Sequence, residues 1–166
     1  MAKKTLDITL YMSELIYDVQ NKTYLTGRSR NNGQNHEEVA NMQANDDDEN
    51  ANQIVRSIGN AFANLKTALS EYIEDSGTTS NNVLLKTDSN LAVSLKMPSN
   101  YNESTRDTVS AAMHQYIVNS AIGDWFTITD KNDAADYVTL AAANLDEIRK
   151  AINKRVRPTR EAVENA

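Results

Sequence analysis

TVSAAMHQYIVNSAIGDWFTITDKNDAADYVTLAAANLDEIRKAINKRVRP, residues 108–158, is the stretch that decides the fold. Apolar side chains recur every three or four residues in both of its halves, which is the spacing of a helix with one apolar face. The repeating positions are Val109, Met113, Tyr116, Ile117, Ala121 and Ile122, and then Val138, Ala141, Leu145, Ile148 and Ile152. The stretch therefore predicts two amphipathic helices, one after the other.

The residues between these two helices predict a sharp corner. Trp125 and Phe126 precede the corner, and Thr129 or Asp130 offers a side-chain oxygen to the open N–H groups of the second helix. Asp133 falls in the first turn of that helix, where the helix dipole favours a negative charge. We expect Trp125 and Phe126 to form the structural corner of the fold.

A strand pattern lies upstream of the two helices. Apolar residues alternate there with small or polar ones, at Leu91, Val93, Leu95 and Met97. This period predicts one buried face, and with the turn residues before it we predict a β-hairpin over residues 82–97. Two strands alone are marginal in water, so the outer edge of the hairpin is a candidate for pairing with a neighbouring subunit. The interface residues of such a pairing are predicted to be Leu91, Val93 and Leu95.

The N-terminal part of the chain predicts one helix and one loop. Residues 5–24 carry apolar side chains at helical spacing, and residues 26–35 have no apolar period but two glycines and two arginines. At the end of this loop, Asn35 and Glu38 have the spacing of a capping box for a further helix.

The longest helical pattern begins after an acidic run at residues 46–49, which suits a first helical turn. Its apolar period runs from Ile54 to Ile73, and the helix is predicted to stop at Gly77. The predicted fold is mainly α: a bundle of about four helices with one β-hairpin.

Positive charge is concentrated near the C-terminus. Residues 149–160 hold six basic side chains and no acidic one. Charge at a helix C-terminus explains the basic residues from Arg149 to Arg155, whereas Arg157 and Arg160 indicate docking on a negative partner surface or a nucleic-acid backbone. The candidate partner-binding residues are Arg28 and Arg30 in the loop, and Lys154, Arg155, Arg157 and Arg160 near the end.

Bulk properties narrow the class of protein. The 166 residues are 40% hydrophobic with a formal net charge of -6, which predicts one domain without a generally basic surface. We place the domain at residues 1–157 and a C-terminal tail at residues 158–166. The absence of cysteine excludes disulfides and thiolate metal sites. No signal peptide or membrane span is evident, so we expect a soluble protein made in the cytoplasm.

Catalytic patterns are missing from the sequence. His36 and His114 lie in different predicted helices, and neither a glycine-rich phosphate loop nor a nucleophile elbow occurs. We therefore expect no catalytic residues, no cofactor and no metal site, and a protein that is not an enzyme.

Several segments resemble small structural proteins encoded beside capsid and tail genes in tailed bacteriophages and prophages of the Bacteroidota, including crAss-like phages. The segments are LKMPSNY (95–101), AIGDWFTITD (121–130), the helix containing Tyr137, RVRPTR (155–160), and IYDVQNKTY (16–24) with its continuation to Arg30. The resemblance implies a virion protein of the neck or tail region, of the head-tail connector or neck ring type. Such a subunit would form a twelvefold ring and bind the portal and neighbouring connector or tail proteins.

Two other functions remain open. A tail-completion or tail adaptor protein would share the helices and hairpin and differ in the neighbour it binds. A DNA-associated packaging or regulatory factor would use the basic arm on DNA, and its binding would weaken steeply with salt.

Overall fold

A computed structural model describes residues 2–74 and 77–160 of the chain. Within these ranges the chain forms two strands, one short 3₁₀ turn and five α-helices. The elements in order are β1 (Lys4–Tyr11), α1 (Met12–Ser29), α2 (His36–Met42), α3 (Asp48–Ala68), β2 (Asn90–Met97), the 3₁₀ turn Glu103–Thr105, α4 (Arg106–Thr129) and α5 (Lys131–Ile152). The mainly α fold class with one pair of antiparallel strands is confirmed.

The helix pair α4 and α5 forms the spine of the molecule. One residue, Asp130, separates the two helices, and its carboxylate accepts a hydrogen bond from the backbone N–H of Asn132 at 3.0 Å. The predicted cap of the second helix is therefore Asp130. Helix α4 has buried residues on every side, because it packs against α3, α1, α5 and β1. It is the central helix of the bundle.

The two strands come from distant parts of the sequence. β1 pairs antiparallel with β2, and Leu6, Ile8 and Leu10 lie opposite Leu95, Val93 and Leu91. The prediction of a local hairpin over residues 82–97 is wrong in its first strand, since residues 82–89 form no strand and the partner lies at residues 4–11. The strand at residues 90–97 is confirmed.

The predicted helix over residues 5–24 begins too early. Residues 4–11 alternate between inward and outward side chains, and Ile8 fits both this period and the helical one. Pairing with β2 decides in favour of the strand, and the helix starts at Met12. It then continues to Ser29 and takes up the first part of the predicted loop.

The close approach of α1 and α2 explains one glycine of that loop. A Cβ atom at Gly27 would lie 3.1 Å from the carbonyl oxygen of Val39, tighter than ordinary van der Waals contact.

The predicted capping box at Asn35 is wrong, because the Asn35 side chain makes no cap hydrogen bond and instead accepts from the N–H of Asn32. Asparagine side chains of the loop accept hydrogen bonds from the backbone N–H groups of residues 32–35. Helix α2 starts without a side-chain cap.

Helix α3 ends at Ala68, earlier than its apolar period predicts. The next residues turn beside β2, where Tyr72 accepts a hydrogen bond from the N–H of Lys96 at 2.6 Å and Ile73 forms a bridge with Leu95. Residues 75–76, just before the predicted stop at Gly77, lie outside the described residues. β2 is therefore contacted on both sides, and the edge left for pairing is that of β1.

Candidate docking surface

The basic end of the chain is held in place by backbone hydrogen bonds. The carbonyl oxygen of Lys154 accepts from the N–H of Asn102 at 3.1 Å, and the N–H of Val156 donates to the carbonyl oxygen of Asn100 at 2.8 Å. Between them, Arg155 pairs with Tyr101, which is fully buried. We call residues 153–160 the basic arm; its first part is fixed on the turn before α4.

The charged side chains of the arm have different surroundings. Arg155 turns back and donates to the carbonyl oxygen of Ile152 at 2.9 Å, at the negative end of the α5 dipole. Lys154, Arg157 and Arg160 are exposed, and none forms an ion pair with another described residue. These three side chains remain available to a partner. The rest of the predicted tail, residues 161–166, lies outside the described residues.

A further basic side chain lies next to the base of the arm. Lys4 donates to the carbonyl oxygen of Tyr101 at 3.2 Å and forms an ion pair with Glu103 at 2.8 Å. The hydrogen bond from Lys4, together with its charge, lowers the pKa of Glu103. The start of β1 and the base of the arm thus meet at Tyr101.

The arginines of the predicted loop belong to the opposite end of the bundle. Arg30 binds Asp133 through two hydrogen bonds of 2.5 and 3.1 Å, and this carboxylate raises the pKa of Arg30. Arg28 is exposed. The 22-residue helix α5 separates this end from the arm by about 33 Å. The structure therefore does not bring the two groups of predicted partner-binding residues together, and Arg30 already has an internal partner.

The predicted interface residues of the strand face inward. Leu91, Val93 and Leu95 are all buried in the core of their own chain. Their side chains are therefore not available to a neighbouring subunit, and the prediction is corrected. The alternating pattern correctly predicts that one face of the strand is buried. The pattern does not indicate whether the same chain or a neighbouring subunit covers that face.

Trp125 and Phe126 lie at the corner, and both are buried. The indole N–H of Trp125 donates to the carbonyl oxygen of Met42 at 2.8 Å, which ties α2 to the end of α4. The ring of Phe126 lies 5.4 Å from that of Tyr137, centre to centre. The aromatic pair therefore joins three helices.

A further polar contact joins α4 to α1. His114 and Asp18 form a half-buried pair at 2.7 Å between α4 and α1. Residues 2–74 and 77–160 contain no group of three or more histidine or acidic side chains arranged to hold a metal ion. None of the described helices is both long enough and apolar enough to span a membrane.

Comparison with protein families, with curated proteins and with solved structures found no match to this chain.

One surface was missed by the sequence predictions. A groove of about 520 Å³ runs between α1 and α5 above α4, and the large exposed side chains Leu25 and Leu140 are on its two walls. A sequence signal for it does exist, since residues 137–145 of α5 carry no charge. The apolar period of the same run predicts a helix packed in the core and does not by itself indicate an exposed surface.

Proposed function

We propose that this protein is a non-enzymatic structural subunit of the head-tail connector or neck ring type, which assembles through its basic arm. The family resemblance of the segments around Trp125 and Arg157 motivates the phage role. The arrangement of the arm supports an assembly role independently of that resemblance.

The observation that carries the proposal is the fixed position of the arm. Its base is hydrogen-bonded to Asn100 and Asn102, whereas the Arg157 and Arg160 side chains are exposed. A segment anchored in this way loses less conformational entropy on binding than a free tail would. The arm is therefore suited to reaching an adjoining subunit.

The charge of the remaining surface indicates what the arm binds. The chain has a formal net charge of -6 although the arm is strongly basic, so acidic surface predominates elsewhere on the molecule. Opposite charges on two protein surfaces steer association and fix its register. We propose that the arm docks on the acidic surface of an adjoining copy of this chain.

The test compares a variant that changes the arm without changing its anchor with a control variant outside the arm. Arg157→Ser with Arg160→Ser removes two exposed charges of the arm, and Lys86→Ser with Lys131→Ser is the control that removes two exposed charges outside the arm. We expect sedimentation velocity to show loss of the assembly in the arm variant only. Equal assembly by both variants would contradict the proposal.

A DNA-binding measurement separates the alternative function. Binding of the intact protein to a duplex of mixed sequence is followed by fluorescence anisotropy at rising salt. We expect no specific affinity. Tight binding that falls steeply with salt and is abolished in the arm variant would instead establish the DNA-associated factor.

A further inference from the structure

Strand β1 has one edge that is not paired with another described strand. Met12 continues the register of β1 and donates to the carbonyl oxygen of Ser89 at 3.2 Å, so alternate residues of β1 direct their backbone groups toward β2. The residues between them, Thr5, Asp7 and Thr9, direct theirs away from β2. None of the three forms a backbone hydrogen bond with a described residue outside the sheet. An open strand edge of this kind is a template for a further extended segment.

A cleft of about 580 Å³ lies beside this edge. Its lining comes from the end of β1, the first turns of α1 and the first half of α4. The α4 residues are three or four positions apart and therefore form one stripe of the helix. They are Asp107, Ser110, Ala111 and His114. Because β1 itself packs on α4, a segment added to its edge would lie over this stripe.

The cleft is acidic. Its lining contains Glu14, Asp18 and Asp107 and no described lysine or arginine. Glu14 forms no ion pair with another described residue, whereas Asp18 contacts His114 at 2.7 Å. Arg106 lies 3.7 Å from Asp107, but both side chains are exposed, and an exposed pair of this kind contributes little. The cleft therefore favours a positively charged occupant.

Two other acidic surfaces lack the open strand edge. The acidic run at residues 46–49 lies at the start of α3 and belongs to no strand. Asp133 and Asp136 lie between helices beside Arg30, which already binds Asp133. Beside β1, in contrast, carboxylates adjoin unpaired strand backbone.

The basic arm matches this cleft in conformation and in charge. Residues 154–156 are already extended, because they pair antiparallel with residues 100–102. Arg157 and Arg160 follow, are exposed, and form no ion pair with another described residue. The arm thus offers an extended backbone with two available positive charges.

Alternation along an added strand gives each arginine an acidic neighbour. Pro158 has no N–H and fits a position that faces away from β1. The backbone groups of Arg157 and Thr159 then face β1, which places the Arg157 side chain on the same side of the sheet as the exposed Asp7. Arg160 falls on the opposite side, toward the stripe of α4.

We infer that the open edge of β1 and the cleft beside it receive the basic arm of an adjoining copy of this chain. This inference rests on the proposed assembly through the arm and names the surface on which the arm docks. The β1 strand of another copy is a poorer occupant, because it would bring two sets of the same carboxylates together. A contact from the arm of one copy to the edge of the next is heterologous, so it continues from copy to copy and closes into a ring when the rotation permits.

The first test uses the absence of cysteine from the native chain. Thr9→Cys places a thiol on the exposed side of the edge, and Thr159→Cys places one in the arm. Since each variant has one cysteine, a link between unlike variants joins two different copies. A short bismaleimide should link Thr159→Cys to Thr9→Cys and not to the control Ala63→Cys, an exposed site on α3.

Equal linking to the control, or linking to neither variant, would overturn the inference. Linking of Thr9→Cys chains chiefly to one another would overturn it in favour of pairing between two β1 strands.

The second test removes charge from the cleft. Glu14→Gln with Asp107→Asn neutralises two exposed carboxylates in the first turns of α1 and α4. Glu37→Gln with Asp48→Asn is the matched control, because it makes the same two changes in the first turns of α2 and α3. The cleft variant should weaken self-association by about tenfold, and the control should change it by less than about twofold.

Sedimentation velocity measures the association, and circular dichroism verifies that each variant is folded. Loss of association in Arg157→Ser with Arg160→Ser, but not in the cleft variant, would overturn this inference and leave the proposed function standing. Normal association of both variants would overturn both proposals.

Discussion

Arg30 donates hydrogen bonds from Nε and Nη2 of its guanidinium group to the two carboxylate oxygens of Asp133, although Arg30 is exposed and the Asp133 carboxylate is almost fully buried. The pair joins the end of α1 to the first turn of α5, across 103 positions of sequence. An exposed arginine that looks free in the sequence is thus part of the internal structure.

Arg30→Ala should destabilise the fold, because it leaves the buried carboxylate of Asp133 without its cationic partner. Arg28→Ala is the matched control and should change the free energy of unfolding by less than about 0.5 kcal/mol, as expected for an exposed side chain that forms no ion pair with another described residue. Urea unfolding followed by circular dichroism measures both. Equal stabilities of the two variants would mean that the Arg30–Asp133 pair contributes nothing.

Trp125→Ala should lower the free energy of unfolding by about 3–5 kcal/mol, because it removes a large buried side chain at the helix corner. Trp125→Phe keeps most of the packing and loses the hydrogen bond to Met42, so its cost should be about 1 kcal/mol. The same unfolding assay ranks the two variants. A near-native stability for Trp125→Ala would show that the corner does not depend on this residue.

Two truncations should separate the anchor of the arm from its tip. A chain ending at Val156 keeps the hydrogen bonds to Asn100 and Asn102, and its melting temperature should match that of the full chain. A chain ending at Asn153 loses both bonds and should lose about 1–3 kcal/mol of stability. Differential scanning calorimetry of the three chains tests this. An unchanged melting temperature for the chain ending at Asn153 would contradict the described anchor.

Burial lowers the pKa of Lys22, which lies partly under the groove and donates to Gln115 at 2.6 Å. The unfolded chain therefore binds more protons than the folded chain between this lowered pKa and the ordinary value of 10.5. Stability should rise with pH in that interval. Lys22→Met should remove this rise and should be at least as stable as the native chain at neutral pH. A native-like pH profile in the variant would assign the rise to other groups.

Helices α4 and α5 could be predicted from the sequence, because the patterns that indicate them are local. The period from Val109 to Ile152 and the cap at Asp130 both depend on residues less than two turns apart. The pairing of β1 with β2 was not readable, since the partner strand is separated by about eighty residues of chain. Ile8 fits a helix and a strand equally well, and only the strand opposite decides between them.

The charge of the candidate surfaces can be predicted from the sequence, but their contacts cannot. The basic composition of the arm is evident in the sequence, whereas its hydrogen bonds to residues 100–102 depend on the fold. Likewise, the uncharged middle of α5 is visible, but the unpaired oxygen of Asn119 appears only when α4 and α5 are packed. Long-range contacts of this kind leave no local pattern.

The most direct test of the structural role is the native mass of the purified intact chain, with negative-stain images of the same sample. A connector subunit should form a closed ring near twelve copies, and the chain ending at Val156 should not. A monomer at every accessible concentration, identical in the full and truncated chains, would contradict the proposal that this protein assembles through its basic arm.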